Sequence, residues 1–290
     1  MEMKKFLALA MLSFLPRMAL AWGPVGHDAI AMIAQKRLTP QAKAALHAIL
    51  GKDLELYKIA NCADALRSAT EPFNCGGAFM VEPASATAPW HFIDIPISGD
   101  ANPSSLMNFC PGGQDCVVGQ IQKNLQILRD AGAAQADKRM ALLFLVHFVG
   151  DEHQPLHCSD DNDQGGNKKP VLYKDNKMTF HSLWDAAMRT PDQSSYKLPP
   201  EVLAANAAAL DASLESQISG QDASAWGQGD LPVVAALESF VLAKNTVYPS
   251  YQYVLGATYQ AQMQPLAEQR IKQAGVRLAI LLNSALAAHP

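Results

Sequence analysis

The sequence predicts an all-α protein, a single mainly helical domain with long loops and one short β-hairpin. Apolar residues recur mostly at helical spacing along the 290-residue chain. Alternating runs of β-branched residues, which are typical of strands, are scarce. No internal repeat and no convincing linker divides the chain, and its length is sufficient for one large domain with a sizeable core.

The N-terminal part of the chain contains the first three predicted helices. They cover residues 24–38, residues from Pro40 to Gly51, and residues 54–69. Thr39 is a good N-cap because Pro40 follows at the first helical position, and Gly51 is a typical helix end. Residues 70–113 are rich in Pro, Gly, Ser and Asn, which predicts a long loop.

The C-terminal part resumes the helical pattern. Helices are predicted over residues 115–131, 136–154, 180–189, 199–217, 230–246 and 252–288. The second of these is strongly apolar from Met140 to Val149, so we expect it at the centre of the domain. Residues 158–178 are polar and rich in glycine, and we expect the short hairpin around Val171 to Met178.

The first 21 residues have the features of a secretory signal peptide. Lys4 and Lys5 precede an apolar run, and Ala19-Leu20-Ala21 forms a small-x-small cleavage site. The apolar run is shorter than the roughly 20 residues that span a bilayer, and no later segment is apolar enough. We therefore expect a secreted or periplasmic protein without membrane insertion, whose single domain covers residues 22–290 and begins at Trp22.

Charge and cysteine content indicate which functions and which cellular compartment are compatible with the sequence. The formal net charge of −4 argues against a protein that coats nucleic acid through a basic surface. Five cysteines fit an oxidising compartment. Cys110 and Cys116 flank a Pro-Gly-Gly loop and could form one disulfide, and Cys62 with Cys75 is a second candidate. Cys158 would then be left over, but sequence alone does not fix the pairing.

Histidine and aspartate recur in a pattern that suggests a metal site. His147 and Asp151 are four residues apart at the end of the apolar helix, which places both side chains on one face. His181 and Asp185 repeat this spacing, and His157 lies between the two pairs. Imidazole and carboxylate together are a good ligand set for zinc. A single pair of this kind usually only stabilises a helix, but two pairs with a further histidine favour a metal.

Six motifs, spread over nearly the whole chain after residue 21, carry a resemblance to a known family. They are Trp22-Gly-Pro-Val-Gly-His27, Ala63-Asp64-Ala-Leu-Arg67, Trp90-His91-Phe92-Ile93-Asp94, His147-Phe-Val-Gly-Asp151-Glu-His-Gln-Pro-Leu-His157, Gly165-Gly166-Asn167 and His181-Ser-Leu-Trp184-Asp185. In this order they resemble the S1/P1 nuclease family, which consists of secreted, zinc-dependent nucleases and 3′-nucleotidases with the zinc phospholipase C fold. The resemblance thus implies a helical domain of the phospholipase C/P1 nuclease type.

The resemblance implies three zinc ions per chain. One would be held by Asp64, His91, His147 and Asp151, and a second by His157, His181 and Asp185. The third would be held by His27, Asp151 and Trp22, with Trp22 binding through its free amine and backbone carbonyl. Only a freed α-amine has a lone pair for a metal, so cleavage before Trp22 would complete this site.

The resemblance also implies roles in substrate binding. Arg67 would hold the phosphate and stabilise the transition state, although a simple intrahelical ion pair with Asp64 is the alternative. Phe92 would stack on a base, and Asp94 would hydrogen-bond the edge of that base; packing in the core is the alternative for Phe92. Asn167 would reach the scissile phosphate, or would only be a turn residue. With Asp151 as a bridging ligand, these residues complete the expected catalytic set.

The expected activity is hydrolysis of phosphodiester bonds in single-stranded RNA and DNA, with 5′-phosphate products, and of 3′-mononucleotides. The chain would act as a monomer. Two alternatives remain open, a zinc phospholipase C that acts on lipid headgroups and an exported metal-binding protein without catalysis. The chain departs from the family pattern at Cys62, where the family often has Trp, and this puts the local packing in doubt.

Overall fold

The protein is described by a computed structural model that covers residues 22–52, 54–189 and 197–287. The predicted signal peptide, residues 1–21, lies outside the described residues. Within the described residues the architecture is mainly helical, with five short strands in two small sheets. This agrees with the predicted fold class. In the same ranges, no helix combines the length and the apolar character that crossing a membrane requires.

Ten α-helices make up most of the fold in the described residues. They are α1 (Pro24–Lys36), α2 (Pro40–Leu50), α3 (Cys62–Ser68), α4 (Val117–Arg129), α5 (Gln135–Glu152), α6 (Phe180–Asp185), α7 (Pro200–Glu215), α8 (Gly220–Trp226), α9 (Leu231–Leu242) and α10 (Ala257–Leu286). Short 3₁₀ turns carry further site residues, notably at Ser85–His91 and Pro155–Cys158.

The apolar helix α5 forms the centre of the core, as predicted. All of its residues from Ala141 to Glu152 are buried. It packs mainly against α4, and α1 packs against α7 and α10. The C-terminal end of α5 thereby lies deep in the domain, and this end carries His147 and Asp151.

The predicted hairpin is present and belongs to a three-stranded sheet. Strand β3 (Pro170–Tyr173) pairs antiparallel with β4 (Asn176–Thr179), with Val171 opposite Met178. Strand β5 (Val254–Leu255) adds to β3 in parallel, so the last helix begins at Ala257 rather than at residue 252. The sheet lies beside α6, which directly follows β4.

The long loop predicted over residues 70–113 contains more structure than expected. Strands β1 (Phe73–Cys75) and β2 (Phe79–Val81) form a second hairpin, with Cys75 opposite Phe79. A disulfide links Cys62 to Cys75, and another links Cys110 to Cys116. Both candidate pairs are therefore formed, and Cys158 is a buried free thiol.

Two predicted helices are shorter in the structure, for identifiable reasons. The helix predicted over 54–69 is divided into a 3₁₀ turn at Leu56–Ile59 and α3. The break comes at Asn61, whose side-chain amide donates to Asp28 Oδ1 at 2.7 Å instead of capping α3. The helix predicted over 180–189 ends at Asp185 because Ala187 and Met188 adopt positive φ.

Sequence reasoning also missed one helix and misjudged the end of another. Helix α8 begins at a capping box, in which Ser219 and Asp222 exchange side-chain and backbone hydrogen bonds. Helix α9 ends at Leu242 and continues as one π-type turn, Ala243–Val247, rather than as regular helix to residue 246.

Candidate metal centre

The predicted metal-ligating side chains converge in the interior of the domain. They come from several elements that are distant in the sequence, and every one of them is at most 7% exposed. The set consists of Trp22, His27, Asp64, His91, His147, Asp151, His157, His181 and Asp185. Because burying bare carboxylates and imidazoles costs free energy, so dense a group requires a compensating partner.

The first group is built around the end of α5. His147 Nε2 lies 3.3 Å from Asp151 Oδ1 and 3.5 Å from Asp64 Oδ1. His91 Nδ1 lies 2.8 Å from Asp151 Oδ2 and 3.7 Å from Asp64 Oδ1. The four residues predicted for one ion are therefore all within a few ångströms of one another.

His27 of α1 contacts two members of this group, His147 and Asp151. Its ring stacks on that of His147 with centroids 3.9 Å apart, and its Nε2 is 3.3 Å from Asp151 Oδ1. Among the described residues, neither ring nitrogen of His27 has a hydrogen-bond partner. Gly150 makes room for the ring, because a Cβ there would lie 2.8 Å from His27 Nδ1.

The donor atoms of His27 also come close to those of Asp64 and His147 in a triad compatible with a metal ion. A second such triad is His91, His147 and Asp151. The prediction had grouped His27 with Asp151 and Trp22. These two triads share His147 and therefore form one continuous cluster.

The backbone next to Trp22 contacts Asp185, a member of the third candidate triad. The amide of Gly23 donates to the carbonyl of Asp185 at 2.7 Å, which places the backbone next to Trp22 beside a predicted ligand. The Trp22 side chain is fully buried, and Gly26 packs directly on its Cβ. A larger residue at position 26 would push Trp22 away from this position.

The second group consists of His157, His181 and Asp185, as predicted, and their donor atoms form the third candidate triad. The Nε2 atoms of the two histidines are 2.9 Å apart. Asp185 Oδ1 is 3.5 Å from His181 Nε2 and 3.9 Å from His157 Nε2. His181 and Asp185 share a face of α6, and His157 comes from the 3₁₀ turn that follows α5.

The backbone fixes which nitrogen of each histidine faces the site. His157 Nδ1 donates to the carbonyl of His91 at 2.7 Å, and His181 Nδ1 donates to that of Gly165 at 2.6 Å. His147 Nδ1 donates to the carbonyl of Ala60 at 2.7 Å. Since a carbonyl can only accept, the Nε2 atom of each neutral ring presents a lone pair to the site.

This donor set fits metal ions. Lone pairs of His157 and His181 that face each other at 2.9 Å repel unless a cation lies between or beside them. Buried atoms at the site without a hydrogen-bond partner among the described residues include His91 Nε2, His147 Nε2, Asp151 Oδ1 and Asp185 Oδ2. Nitrogen and carboxylate oxygen donors without thiolates are typical of catalytic zinc sites.

The pKa values show how burial and the neighbouring charges oppose each other at the site. Burial opposes protonation of His147, but the carboxylates of Asp151 and Asp64 raise its pKa to about 8. Burial alone would raise the pKa of Asp151, yet His147, His27 and His91 hold it well below its usual range. By contrast, burial dominates at Asp185 and raises the pKa of its carboxyl well above the usual value. A bound cation next to Asp185 would favour the ionised form of its carboxylate.

Sequence reasoning missed Gln154, a buried residue that supports the second group. Its side-chain amide donates to Asp185 Oδ1 at 2.7 Å, and its carbonyl accepts from the amide of Leu156 at 2.6 Å. Gln154 therefore orients a ligand on α6 from the turn that carries His157. Its position within the motif between Asp151 and His157 was the only signal in the sequence.

His153, within the same motif, faces away from the ligands. Its Nδ1 donates to the carbonyl of Val149 at 2.7 Å, and its Nε2 accepts from Arg277 at 3.1 Å. Arg270 and Arg277 both pair with Glu238 and enclose the end of α5. Both ring nitrogens of His153 are therefore engaged away from the candidate ligands, and His153 is not among the ligands that the resemblance implies. Nothing in the sequence indicated the contacts made by the two arginines.

Arg67 lies on α3 beside the first group. Its Nη2 is 2.8 Å from Asp64 Oδ1, and both side chains are buried. The ion pair considered as the simpler alternative is therefore present. The same contact holds the guanidinium of Arg67 next to the candidate metal ligands. The ion pair is therefore compatible with a role for Arg67 in phosphate binding.

Phe92 and Asp94 lie on a segment that runs beside the second group. The amide of Ile93 donates to the carbonyl of His157 at 2.8 Å. Phe92 is half-buried and Asp94 is exposed. Desolvation by neighbouring residues, together with the carboxylates of Asp160 and Asp163, raises the pKa of Asp94 to about 6.

Asn167 belongs to the turn that supports His181. The preceding Gly165 and Gly166 have positive φ, and a Cβ at Gly165 would lie 2.4 Å from the carbonyl of Leu156. Asn167 is half-buried, and its side-chain amide donates to the carbonyl of Gln164 at 2.9 Å. The motif therefore forms a turn, but the positive φ expected at Asn167 occurs at the two glycines instead.

Comparison with known proteins identifies the family of this chain. The family model for S1/P1 nuclease matches residues 22–287. Nuclease S1 of Aspergillus oryzae is 27% identical, with 96% of this chain and 94% of that protein covered. Endonuclease 4 of Arabidopsis thaliana is 28% identical, with 94% and 91% covered. Nuclease P1 of Penicillium citrinum is 31% identical over 58% of each chain. The chain belongs to the S1/P1 nuclease family.

Proposed function

We propose that this chain is a zinc-dependent nuclease of one domain, residues 22–290, that hydrolyses single-stranded RNA and DNA to products with 5′-phosphates. It also hydrolyses 3′-mononucleotides, acts as a monomer, and is secreted or periplasmic after loss of residues 1–21. The proposal rests on one observation above all, the buried Nε2 lone pairs of His157 and His181 that face each other beside Asp185. A metal ion bound by both Nε2 atoms and Asp185 would make that arrangement favourable.

Three zinc ions would be held as the family pattern implies. Asp64, His91, His147 and Asp151 would hold one ion, and His157, His181 and Asp185 a second. His27, Asp151 and Trp22 would hold the third, with Trp22 contributing its amino nitrogen and carbonyl oxygen. When bound, zinc supplies Lewis-acid chemistry, which lowers the pKa of water and neutralises charge on a phosphate.

The chain's own residues supply binding and orientation. Arg67 would donate to the non-bridging oxygens of the scissile phosphate, and its charge would stabilise the negative charge that grows in the transition state. The ion pair with Asp64, at 2.8 Å, keeps the guanidinium in place before substrate arrives. Asn167 would donate its amide to the same phosphate.

Selectivity for single strands would come from the Phe92 segment. A base can stack on the ring of Phe92 only after it has left a duplex, and stacking tolerates every base. Asp94 would hydrogen-bond the edge of that base. Bound cations would also explain how an acidic chain binds a polyanion, because the local field at the site would then be positive.

A direct experiment compares single-stranded RNA, double-stranded RNA and phosphatidylcholine as substrates for the purified protein, with the products identified by mass spectrometry. We expect hydrolysis of the single strand with 5′-phosphates. Release of a lipid headgroup instead would support the phospholipase alternative. Zinc binding without turnover of any of these substrates would support a metal-binding protein.

A further inference from the structure

Helix α3 carries two functional residues but is too short to hold itself in place. It has seven residues, whereas isolated helices shorter than about 12 residues are marginal in water. Its N-cap residue, Asn61, gives α3 no side-chain cap because its amide donates to Asp28. The position of Asp64 and Arg67 therefore depends on what contacts α3 from outside.

The β1–β2 hairpin provides contacts at both ends of α3. At the first residue of the helix, Cys62 is linked to Cys75 at the end of β1. At the other end, the carbonyl of Leu66 accepts a hydrogen bond at 2.9 Å from the amide of Ala84, shortly after β2. The hairpin thus brackets α3, with Asp64 between the two attachment points.

The turn of the hairpin is also fitted closely to the preceding 3₁₀ turn. A Cβ on Gly76 would lie only 2.7 Å from the carbonyl oxygen of Lys58. The next residue, Gly77, has a similar positive φ, yet a Cβ there would have nothing within 4 Å. The contact of Gly76 therefore requires glycine for reasons of space as well as of conformation.

We propose that this hairpin is a clamp that positions Asp64 and Arg67, fastened by the Cys62–Cys75 disulfide and by the contact between Gly76 and Lys58. The inference rests on the proposed roles of Asp64 as a zinc ligand and Arg67 as a phosphate ligand. None of the clamp residues is among the candidate ligands of a metal ion. Its residues are positioning residues that act through α3.

The first experiment removes the disulfide. The variant Cys62→Ser/Cys75→Ser is stripped of metal, and its zinc affinity is measured by competition with a chromophoric chelator. We expect the affinity for at least one ion to fall about tenfold or more, the range found when groups that orient ligands are lost. Hydrogen exchange within Cys62–Ser68 should become faster. The control, Cys110→Ser/Cys116→Ser, removes the other disulfide and should leave zinc affinity unchanged.

The second experiment leaves all cysteines in place, so it remains informative if the first variant does not fold. Gly76→Ala should reproduce the loss of zinc affinity, because the new methyl group displaces the hairpin from Lys58. Gly77→Ala carries comparable backbone strain without the clash and should bind zinc like the parent protein. Equal zinc affinity in Gly76→Ala and Gly77→Ala would overturn the clamp.

Asp64→Asn separates this inference from the proposed function. If Asp64→Asn weakens zinc binding while the hairpin variants do not, the clamp is wrong and the metal site stands. If Asp64→Asn itself leaves zinc affinity unchanged, the role assigned to Asp64 is wrong, and the clamp loses its premise.

Discussion

The Nε2 atoms of His157 and His181 face each other at 2.9 Å, and neither carries a proton in the neutral ring because each Nδ1 donates to a backbone carbonyl. Burial lowers the pKa of both imidazoles, which disfavours relief of the repulsion by a proton on either Nε2 atom. A metal ion held with Asp185 does relieve it. This pair connects the fold to the proposed chemistry.

Gln154 should control the affinity of the ion at this pair. Gln154→Leu removes the amide that donates to Asp185 Oδ1, so the carboxylate loses its orientation. We expect zinc affinity at the site of His157, His181 and Asp185 to fall about 10–100-fold. The control is Gln120→Leu, since Gln120 is equally buried but donates to the carbonyl of Gln114. Equal zinc affinities for the two variants would contradict the role of Gln154.

Gly150→Ala tests the position of His27. The added methyl group would lie 2.8 Å from His27 Nδ1, so the ring must move away from His147 and Asp151. We expect the protein to retain two zinc ions per chain instead of three, as measured by metal analysis after dialysis. Gly220→Ala has open space around its methyl group and should retain all three. Three ions in Gly150→Ala would show that His27 does not complete a site.

Arg67→Ala should separate catalysis from metal binding. Loss of a donor to the developing charge typically lowers kcat about 10²–10³-fold. Zinc content should stay at the parent value, because Arg67 is not a ligand. Arg67→Lys keeps the charge but loses the planar fork, so we expect only partial recovery of kcat. Unchanged kcat in Arg67→Ala would refute the role of Arg67 in phosphate binding.

Asp94 should produce a pH-dependent effect on both stability and substrate binding. Its pKa is raised to about 6 from an ordinary value of 3.8, so ionisation opposes folding increasingly as the pH rises through this window. Asp94→Asn should therefore raise Tm relative to the parent protein above pH 6 and not at pH 4. KM for single-stranded RNA should increase in the same variant.

Asp100→Asn is the control for this measurement, because the pKa of Asp100 is shifted in the opposite direction from that of Asp94. The hydrogen bond from Lys244 lowers the pKa of the exposed Asp100 carboxylate, so its removal should not raise Tm at any pH. If Tm at pH 7 is no higher in Asp94→Asn than in the parent protein, the ionised carboxylate of Asp94 does not destabilise the fold.

Much of the site was predictable because its residues recur at local, periodic positions. The spacing of His147 and Asp151 on an apolar helix and that of His181 and Asp185 are helical signals that require no tertiary knowledge. The pair of Asp64 with Arg67 is also local, because both residues lie on α3. The stacking of His27 on His147, and the approach of Asp64 to His91 and His147, depend on distant elements. Only the family resemblance indicated that these elements meet.

The features that were missed depend on contacts between elements. The break at Asn61 arises from its hydrogen bond to Asp28, 33 residues earlier in the chain. Strands β1 and β2 have three residues each, too few to show alternation, and a disulfide rather than a pattern fixes their position. The roles of Gln154 and Gly150 could not be predicted from the sequence. A residue that orients a ligand, or that leaves space for one, produces no periodic pattern in the sequence.

The amino group of Trp22 provides a test of maturation. A chain that retains residues 1–21 has an amide nitrogen at Trp22, which offers no lone pair to a metal. We expect such a precursor to bind two zinc ions, and a chain that begins at Trp22 to bind three. The comparison requires mass spectrometry of the intact proteins to establish where each begins. Equal zinc content in both would refute the participation of the Trp22 amine.

The zinc content of the purified chain that begins at Trp22 tests the central claim most directly. Inductively coupled plasma mass spectrometry after extensive dialysis should find three zinc ions per chain, and His157→Ala/His181→Ala should lose one of them. A parent chain that holds no divalent metal while remaining folded would contradict the account, because the facing lone pairs of His157 and His181 would then need no cation.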